Sequence, residues 1–351
     1  MTLEIVQVSP VPERLNPYVY LLARSLGQAG ARCEVKNRFS LRWFLSSSKS
    51  LDILHFHWGE HLCASSTPGR GLRDLLQLIT GLLYARGRGR TLVYTVHNLE
   101  PHEDLPYLKL VAHQLLLNMS HGLHVHDDHA LSQVQKMIVG RKSLFSIPHG
   151  HYIGVYPSNC SRQEARERLA IKDDDFVFLF LGQMRPHKGI EDLVVAFRQI
   201  ARGRDKLLLA GWAPQESYGR KVQEMAGGDS RITFFPEFVA NEDVQFFMNA
   251  SDVSVLPYRT MTTSGAAILS LSFGRPVVAP RTGGFLSLLR DGGGVLYNAE
   301  EGGLSNALLT ARGLDLEDAG SSALAVARRL DWGTIARQHL AAYGRLTGRL
   351  Q

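Results

Sequence analysis

The sequence predicts an α/β protein with two parallel-sheet domains, and three observations carry that prediction. Short apolar runs rich in β-branched and aromatic residues alternate with longer amphipathic stretches along the whole chain, the pattern of repeated βαβ units. The alternation is interrupted once, at Ile147-Pro148-His149-Gly150, and then begins again. At 351 residues the chain is long enough for two ordinary cores.

In the first half, strands are predicted at Leu3–Val8, Arg32–Val35, Ile53–His57, Thr91–His97, Gly122–Val125 and Ser143–Ile147. Helical spacing fills the gaps, with Tyr18, Leu21, Leu22 and Leu26 on one helix, Leu72, Leu75, Leu76 and Ile79 on the next, and Leu108, Val111, Leu115 and Leu116 on a third. The second half offers strands at Phe176–Leu181, Lys206–Ala210, Ile232–Phe235, Val253–Leu256, Pro276–Ala279 and Gly294–Leu296. Trp332–Leu346 reads as a terminal helix with Ile335, His339, Leu340 and Tyr343 on one face. The expected domains are therefore residues 1–150 and 151–330, with 331–351 as a closing helix that crosses back to the first domain.

Composition bounds the class. Hydrophobic residues at 44% and charged residues at 21% are globular values. No run of about 18 apolar residues occurs, and residues 1–9 lack a secretory signal, so a cytoplasmic protein is expected. Cys33, Cys63 and Cys160 are isolated, which argues against a disulfide framework or a zinc knuckle. Residues 1–150 hold 16 Lys and Arg against 11 Asp and Glu, hence +5 of the chain's +6. Arg86, Arg88 and Arg90, spaced by glycines, suit either a solvated loop or anionic headgroups.

Two segments have the make-up of an anion site. The loop Leu181-Gly182-Gln183-Met184-Arg185-Pro186-His187-Lys188-Gly189 leaves the carboxyl end of a strand buried on both faces, where open α/β sheets bind ligands. Arg185 offers a planar fork and Lys188 a movable point charge, a pair suited to a departing diphosphate and equally compatible with a plain surface turn. The second segment, Pro257–Ile268, leads from a strand into a helix beginning near Ser264. Free amides at that start, with the hydroxyls of Thr263 and Ser264 and the bare backbone of Gly265, form an anion site or an ordinary N-cap.

The blocks LFLGQMRPHKGIEDLVVAF, DVSVLPYRTMTTSGAAILSLSFGRPVVAPRTGG and LDWGTIARQHLAAY resemble the C-terminal domain of retaining group-1 (family four) GT-B glycosyltransferases of cell-envelope synthesis. The first half is similar, more loosely, to exopolysaccharide-type members through DILHFHW, TLVYTVHNLEPHE and FSIPHGHY. The resemblance implies a GT-B fold, two Rossmann-like domains facing across a cleft. It implies an N-terminal acceptor domain, a C-terminal domain for a UDP- or GDP-linked sugar, and transfer that retains configuration without a metal. Residues matching Arg185 and Lys188 contact the donor diphosphate, Thr263-Ser264-Gly265 cap it, and His97 faces the donor sugar. The sequence departs from the family where two glutamates with seven residues between them are usual, having Met261 and Leu269 instead, and Ser287 also stands where a glutamate is frequent. Glu237 or Glu242 then become candidates for the ribose.

The remaining candidates lie in the first half. Asn16, Asn98 and Glu103 are placed to meet an acceptor, and Glu100 or Glu103 would serve as general base if the reaction inverts. The turn after the first strand lacks G-x-G-x-x-G, which disfavours an NAD enzyme. His55 and His57 share a strand face, and His121, His124, His126 and His129 sit near Asp127 and Asp128, yet no metal-site spacing is present. The expected protein uses no cofactor and no nucleic acid; its partners are a nucleotide-sugar, a saccharide or polyprenyl-linked acceptor and, peripherally, an anionic membrane. An epimerase or phosphorylase on the same fold and a non-catalytic GT-B scaffold subunit are the alternatives.

Overall fold

The computed structural model describes residues 2–47, 51–63, 68–99, 107–138, 140–260, 263–300 and 302–349. The chain divides into two compact units, Met1–Gly150 with Asp331–Gln351, and His151–Leu330.

In unit 1 the six strands are β1 (Glu4–Val8), β2 (Arg32–Lys36), β3 (Ile53–His57), β4 (Thr91–Thr95), β5 (Gly122–Val125) and β6 (Ser143–Ser146), in the order β2-β1-β3-β4-β5-β6. All pairs are parallel. Alternation along each strand sorts the side chains between two cores. Ile5, Ile53 and Val93 meet Tyr18, Val19, Leu22 and Leu26 of the helix Tyr18–Gln28 and Ile335, Ala336 and Tyr343 of the helix Trp332–Thr347. On the opposite face Val6, Leu54, Leu92 and Leu123 meet Leu75, Leu78 and Leu82 of the helix Pro68–Gly87 and Leu116 of the helix Tyr107–Met119.

That arrangement corrects one reading of the sequence. Leu72 and Leu76 do not share the inward face with Leu75; they are 51% and 55% exposed, while Leu78 and Leu82, beyond the expected set, are buried. Ile79 is half-buried. Apolar residues surround this helix, so spacing alone could not choose its inner face.

Beneath the helices Tyr18–Gln28 and Trp332–Thr347, unit 1 buries an unusual number of imidazoles: His55, His57, His124, His126, His149 and His339. Four groups form a directed chain. The Tyr343 hydroxyl donates to His55 Nδ1 at 2.6 Å, His55 Nε2 donates to Thr95 Oγ1 at 2.7 Å, and Thr95 donates to His124 Nδ1 at 2.9 Å. His124 Nε2 then donates to the Ile147 carbonyl at 2.9 Å, and this acceptor-only end fixes every tautomer before it. Burial lowers all six, His149 to about 4 and His339 to about 3, and repulsion between charged imidazoles comes second in His55, His57, His124, His126 and His339.

Unit 2 contains β7 (Phe176–Leu181), β8 (Asp205–Ala210), β9 (Ile232–Phe235), β10 (Val253–Val255), β11 (Val277–Pro280) and β12 (Gly294–Tyr297), again parallel, in the order β12-β11-β10-β7-β8-β9. The run FVFLFL is buried along nearly its whole length, Phe178 and Phe180 toward Ile190, Leu193 and Phe197, Val177 and Leu179 toward Val244 and Met248. At the amino ends of β7 and β10 a buried ion cluster sets the register. Asp252 accepts from Arg166 Nη2 at 3.0 Å and from Val177 N at 2.7 Å, while Arg166 also donates to the carbonyls of Lys172, Asp173 and Asp175. All twelve strands expected from the sequence form.

The buried imidazoles make acid the weak side of unit 1. Their folded pKa values lie below the unfolded value of about 6.5, so below that pH the unfolded chain takes up protons that the native unit refuses, and stability falls. Each histidine contributes a loss of about 1.4 kcal/mol per pH unit until its folded value is reached, near 4 for His149 and 3 for His339. Urea unfolding followed by tryptophan fluorescence is expected to show a midpoint that drops steeply between about pH 6.5 and 5. A midpoint flat over that range contradicts the neutral assignment.

Candidate functional site

The strand order of unit 2 reverses between β7 and β10, and a crevice outside the carboxyl ends of strands forms at such a point. The loops that leave these two strands are the two anion-type segments of the sequence. Gly182 follows β7, Arg185 and Lys188 lie on the next turn, and the helix Ile190–Ile200 begins directly after Gly189. The loop after β10 carries Pro257, Tyr258 and Arg259, then Thr263, and Ser264 caps the helix Gly265–Ser272 by accepting from Ala267 N at 3.1 Å.

Three contacts hold the loops together. Lys188 Nζ lies 3.5 Å from the centre of the Tyr258 ring, a cation-π contact. Tyr258, buried beneath it, is hydrogen-bonded through its hydroxyl to the Ser264 hydroxyl, so one side chain links the ammonium to the helix start. Arg259 completes the link: its N–H donates to the His187 carbonyl at 2.9 Å, and Nε and Nη2 both reach Asp192 at 2.9 Å. Gly189 makes this approach geometrically allowed. It sits at φ +65°, and a Cβ there would lie 2.1 Å from the Pro257 carbonyl oxygen.

Electrostatically the gathering is positive and half-sheltered. Burial, with the neighbouring Arg185 charge second, lowers the Lys188 ammonium to about 7. The Arg185 guanidinium donates from Nε to Gln183 Oε1 at 3.2 Å, and burial lowers it as well, though a guanidinium stays charged at any working pH. The amides at the start of the helix Gly265–Ser272 add partial positive charge without a side chain. Such a set can take two linked phosphates.

In unit 1, His97 lies two residues beyond β4 and is partly exposed. Its ring stacks on the Trp58 indole, with centroids 4.0 Å apart and planes at 8°. Trp58 adopts φ 45°, a left-handed backbone that a bulky residue accepts only when its surroundings impose it. His97 Nε2 is 3.2 Å from His57 Nδ1, His97 Nδ1 is 3.4 Å from His126 Nε2, and His57 Nε2 meets Gln7 Oε1 at 2.7 Å. Burial, then the charges of neighbouring imidazoles, lowers His97 well below its ordinary range, so it stands as a neutral imidazole.

The other sequence candidates have settled partners. Asn16 Oδ1 accepts from Tyr18 N at 3.0 Å at the entry to its helix, and Asn98 Nδ2 donates to the buried Glu60 at 3.0 Å. Glu100, Glu103 and Met261 lie outside the described residues. His121 Nδ1 accepts from Leu92 N at 2.9 Å, and among the described residues no three His, Cys, Asp or Glu side chains converge on one point as metal ligands would. Sequence reading passed over Trp58, Tyr258, Arg259 and Glu60. Trp58 stands immediately after β3 and Tyr258 three residues after β10, placements that carry a signal only once strand order is known.

The family model described as "Glycosyl transferases group 1" matches residues 175–312. The chain is 26% identical over 330 residues to the GDP-mannose:glycolipid 4-beta-D-mannosyltransferase of Xanthomonas campestris pv. campestris, covering 93% of this chain and 88% of that protein. It is 23% identical over 389 residues to the D-inositol 3-phosphate glycosyltransferase of a Nocardioides species, covering 94% and 85%. Among solved structures, sucrose-phosphate synthase from Thermosynechococcus elongatus gives a TM-score of 0.76 at 19% identity over 99% of both chains. Anabaena HepE in complex with UDP-glucose gives 0.75 at 18% identity, over 97% of this chain and 99% of that one. At these identities the structural likeness establishes the fold, a two-domain GT-B-like α/β architecture.

Replacing Gly189 by alanine is expected to cost unit 2 about 2–4 kcal/mol, because the added Cβ has both a forbidden backbone angle and a backbone oxygen to meet. Gly203, where a Cβ meets nothing within 4 Å, serves as control, and alanine there should change stability by less than about 0.5 kcal/mol. Equal urea midpoints for the two variants would show that the loops are not held as described.

Proposed function

We propose, for a chain whose residues 175–312 are a group 1 glycosyltransferase domain, that it transfers a hexosyl group from a nucleoside diphosphate sugar to a hydroxyl of a saccharide acceptor. One observation carries the reading: Lys188 and the capped helix start at Ser264 are joined through Tyr258 at the switch point of a parallel sheet, with Arg185 on the same loop as Lys188. As the glycosidic bond to phosphate breaks, negative charge grows on the leaving diphosphate. Arg185 neutralises it with a fixed fork, Lys188 with a mobile ammonium, and the amides beyond Ser264 with preset dipoles that need no reorganisation. These groups meet the charge without a metal ion. Gly182 and Gly265 leave room for the phosphates, the Thr263 hydroxyl adds a hydrogen bond to them, and His97, neutral and stacked on Trp58, lines the reaction centre with its ring.

The donor is UDP- or GDP-linked. The Xanthomonas relative takes GDP-mannose and glycolipid by its name, and the Anabaena neighbour is solved with UDP-glucose, which supports donors of this class and an acceptor that is a saccharide carried on a polyprenyl-type lipid. The basic surplus of the first half supports work at the inner face of a membrane, in exopolysaccharide or cell-envelope glycan synthesis, by a peripherally bound protein. Among the described residues no helix is long and apolar enough to cross a membrane.

We assign retention of configuration, with the donor phosphate taking the acceptor proton. Inversion is the second reading, favoured by Met261 and Leu269 in the places of the usual glutamates and by the β product named for the Xanthomonas relative. Asn16, Asn98 and Glu103 are acceptor contacts under either outcome, and under inversion Glu100 or Glu103 is the general base. The anomeric configuration of the product, read by proton NMR against that of the donor, decides between them.

Two outcomes test the donor site. UDP or GDP, and one matching nucleotide sugar, are expected to raise the melting temperature, and Arg185→Ala to abolish the shift with its own fold intact. No shift from any nucleoside diphosphate leaves a scaffold instead of an enzyme. Lys188 adds a pH dependence of definite sign. Its ammonium titrates near 7 in the free protein and only the charged form pairs with phosphate, so affinity falls as pH rises, by about fivefold from pH 7 to 8. Calorimetric titrations should show this loss and its disappearance in Lys188→Arg, whose guanidinium keeps its charge; identical pH profiles for the two proteins would refute the pairing.

A further inference from the structure

The helix Pro68–Gly87 carries an apolar stripe that the protein does not cover. At 100° per residue, Leu72, Leu76, Ile79 and Leu83 fall within a sector of about 60° on its surface. Leu72, Leu76 and Leu83 are 51%, 55% and 59% exposed, against buried Leu75, Leu78 and Leu82 on the side facing the sheet. A single exposed leucine needs no explanation, whereas three in register over roughly 16 Å of helix form a continuous patch.

The charge around the stripe is of one sign. From Pro68 to Arg90 there are five arginines and one acid, Asp74; Arg70, Arg73 and Asp74 lie off the stripe at about 160°, 100° and 200° from Leu72, with Arg73 paired to Asp74, which leaves Arg86 and Arg88 as the charges nearest its end. The helices packed on either side, Leu41–Ser47 and Tyr107–Met119, add Arg42 and Lys109 and no acid. Arg86 borders the stripe, exposed, with Nη1 on the Met119 carbonyl at 2.6 Å. Arg88 lies over the Tyr84 ring at 5.2 Å, an amphipathic pair of the kind that sits at a lipid headgroup layer.

We propose that this face of unit 1 docks on an anionic bilayer, with Leu72, Leu76, Ile79 and Leu83 entering the headgroup boundary and Arg86 and Arg88 pairing with lipid phosphates. An interfacial helix has this layout: a narrow apolar stripe, cationic flanks and its axis lying in the membrane plane. Charge complementarity selects the occupant. A second copy seated stripe to stripe would bring two arginine-rich helices into contact, which like charges oppose, whereas an anionic surface satisfies both halves of the pattern. The surface rests on and deepens the peripheral-membrane part of the proposed function and shares no residue with the donor site, whose residues belong to the other unit.

The test is sedimentation of the full chain with vesicles of phosphatidylcholine alone or with 30 mol% (roughly one third) phosphatidylglycerol. Wild type is expected to pellet with the anionic vesicles and stay in solution with the neutral ones. Leu72→Gln/Leu76→Gln/Leu83→Gln, which alters only exposed side chains, is expected to weaken binding at least tenfold, as is Arg86→Gln/Arg88→Gln, with melting temperature and UDP or GDP shift unchanged. Vesicle binding equal in the triple variant and wild type overturns the proposal, as does equal binding to both vesicle types. A dimer in analytical ultracentrifugation that the triple variant abolishes, with no vesicle binding, overturns it in favour of self-association. If vesicle binding is lost as expected but no nucleotide shifts the wild type, the docking surface stands and the donor reading falls.

Discussion

Everything assigned to unit 2 depends on the contact between the Lys188 ammonium and the Tyr258 ring. It joins two loops that are seventy residues apart in sequence and places a positive charge over the side chain that also touches the helix cap at Ser264. The contact is possible because the strand order reverses between β7 and β10, so that the connections from these neighbouring strands run to opposite sides and leave a gap between them. Asp252 holds the far ends of the same two strands in register through the Val177 amide and Arg166. The two ends of β7 thus do different work. One is pinned by the buried Asp252 carboxylate with its arginine and amide partners, and the other presents Arg185 and Lys188, which form no ion pair among the described residues.

The comparison with unit 1 shows a different use of polar burial. There the polar groups are neutral imidazoles in a directed row, ended by a carbonyl that accepts and cannot donate. Neutral hydrogen-bonded groups avoid the desolvation penalty that a charge would incur, while still fixing orientation. His97 sits at the exposed end of a second such row through His57 and Gln7, and the stacking with Trp58 restricts its ring plane. Both restraints leave the His97 ring with one tautomer and one tilt.

Much of the fold was legible in the residues because parallel strands buried on both faces leave near-continuous apolar runs, and FVFLFL or TLVYT can hardly be anything else. The site was legible in part: Arg185, Lys188 and Ser264 stand out as cations and a cap next to glycines. Tyr258 does not, since an aromatic after a strand usually means core, and its bridging role exists only after two distant loops meet. Trp58 is hidden for another reason, because no local pattern announces that a tryptophan will take a left-handed backbone. The helix Pro68–Gly87 misled because leucines at 72, 75, 76, 78, 82 and 83 satisfy several helical faces at once, and only the sheet beneath it decides which of them are covered.

The path of the chain has one more consequence. Residues His151–Leu330 make up one unit from a single uninterrupted stretch, whereas the other is assembled from both ends of the polypeptide, its sheet covered on one face by the helix Trp332–Thr347. Synthesis from the amino end therefore leaves Ile5, Ile53 and Val93 only partly roofed until the helix Trp332–Thr347 has emerged, after all of the inserted unit. The core of unit 1 is thus the one that closes late, although its strands are made early.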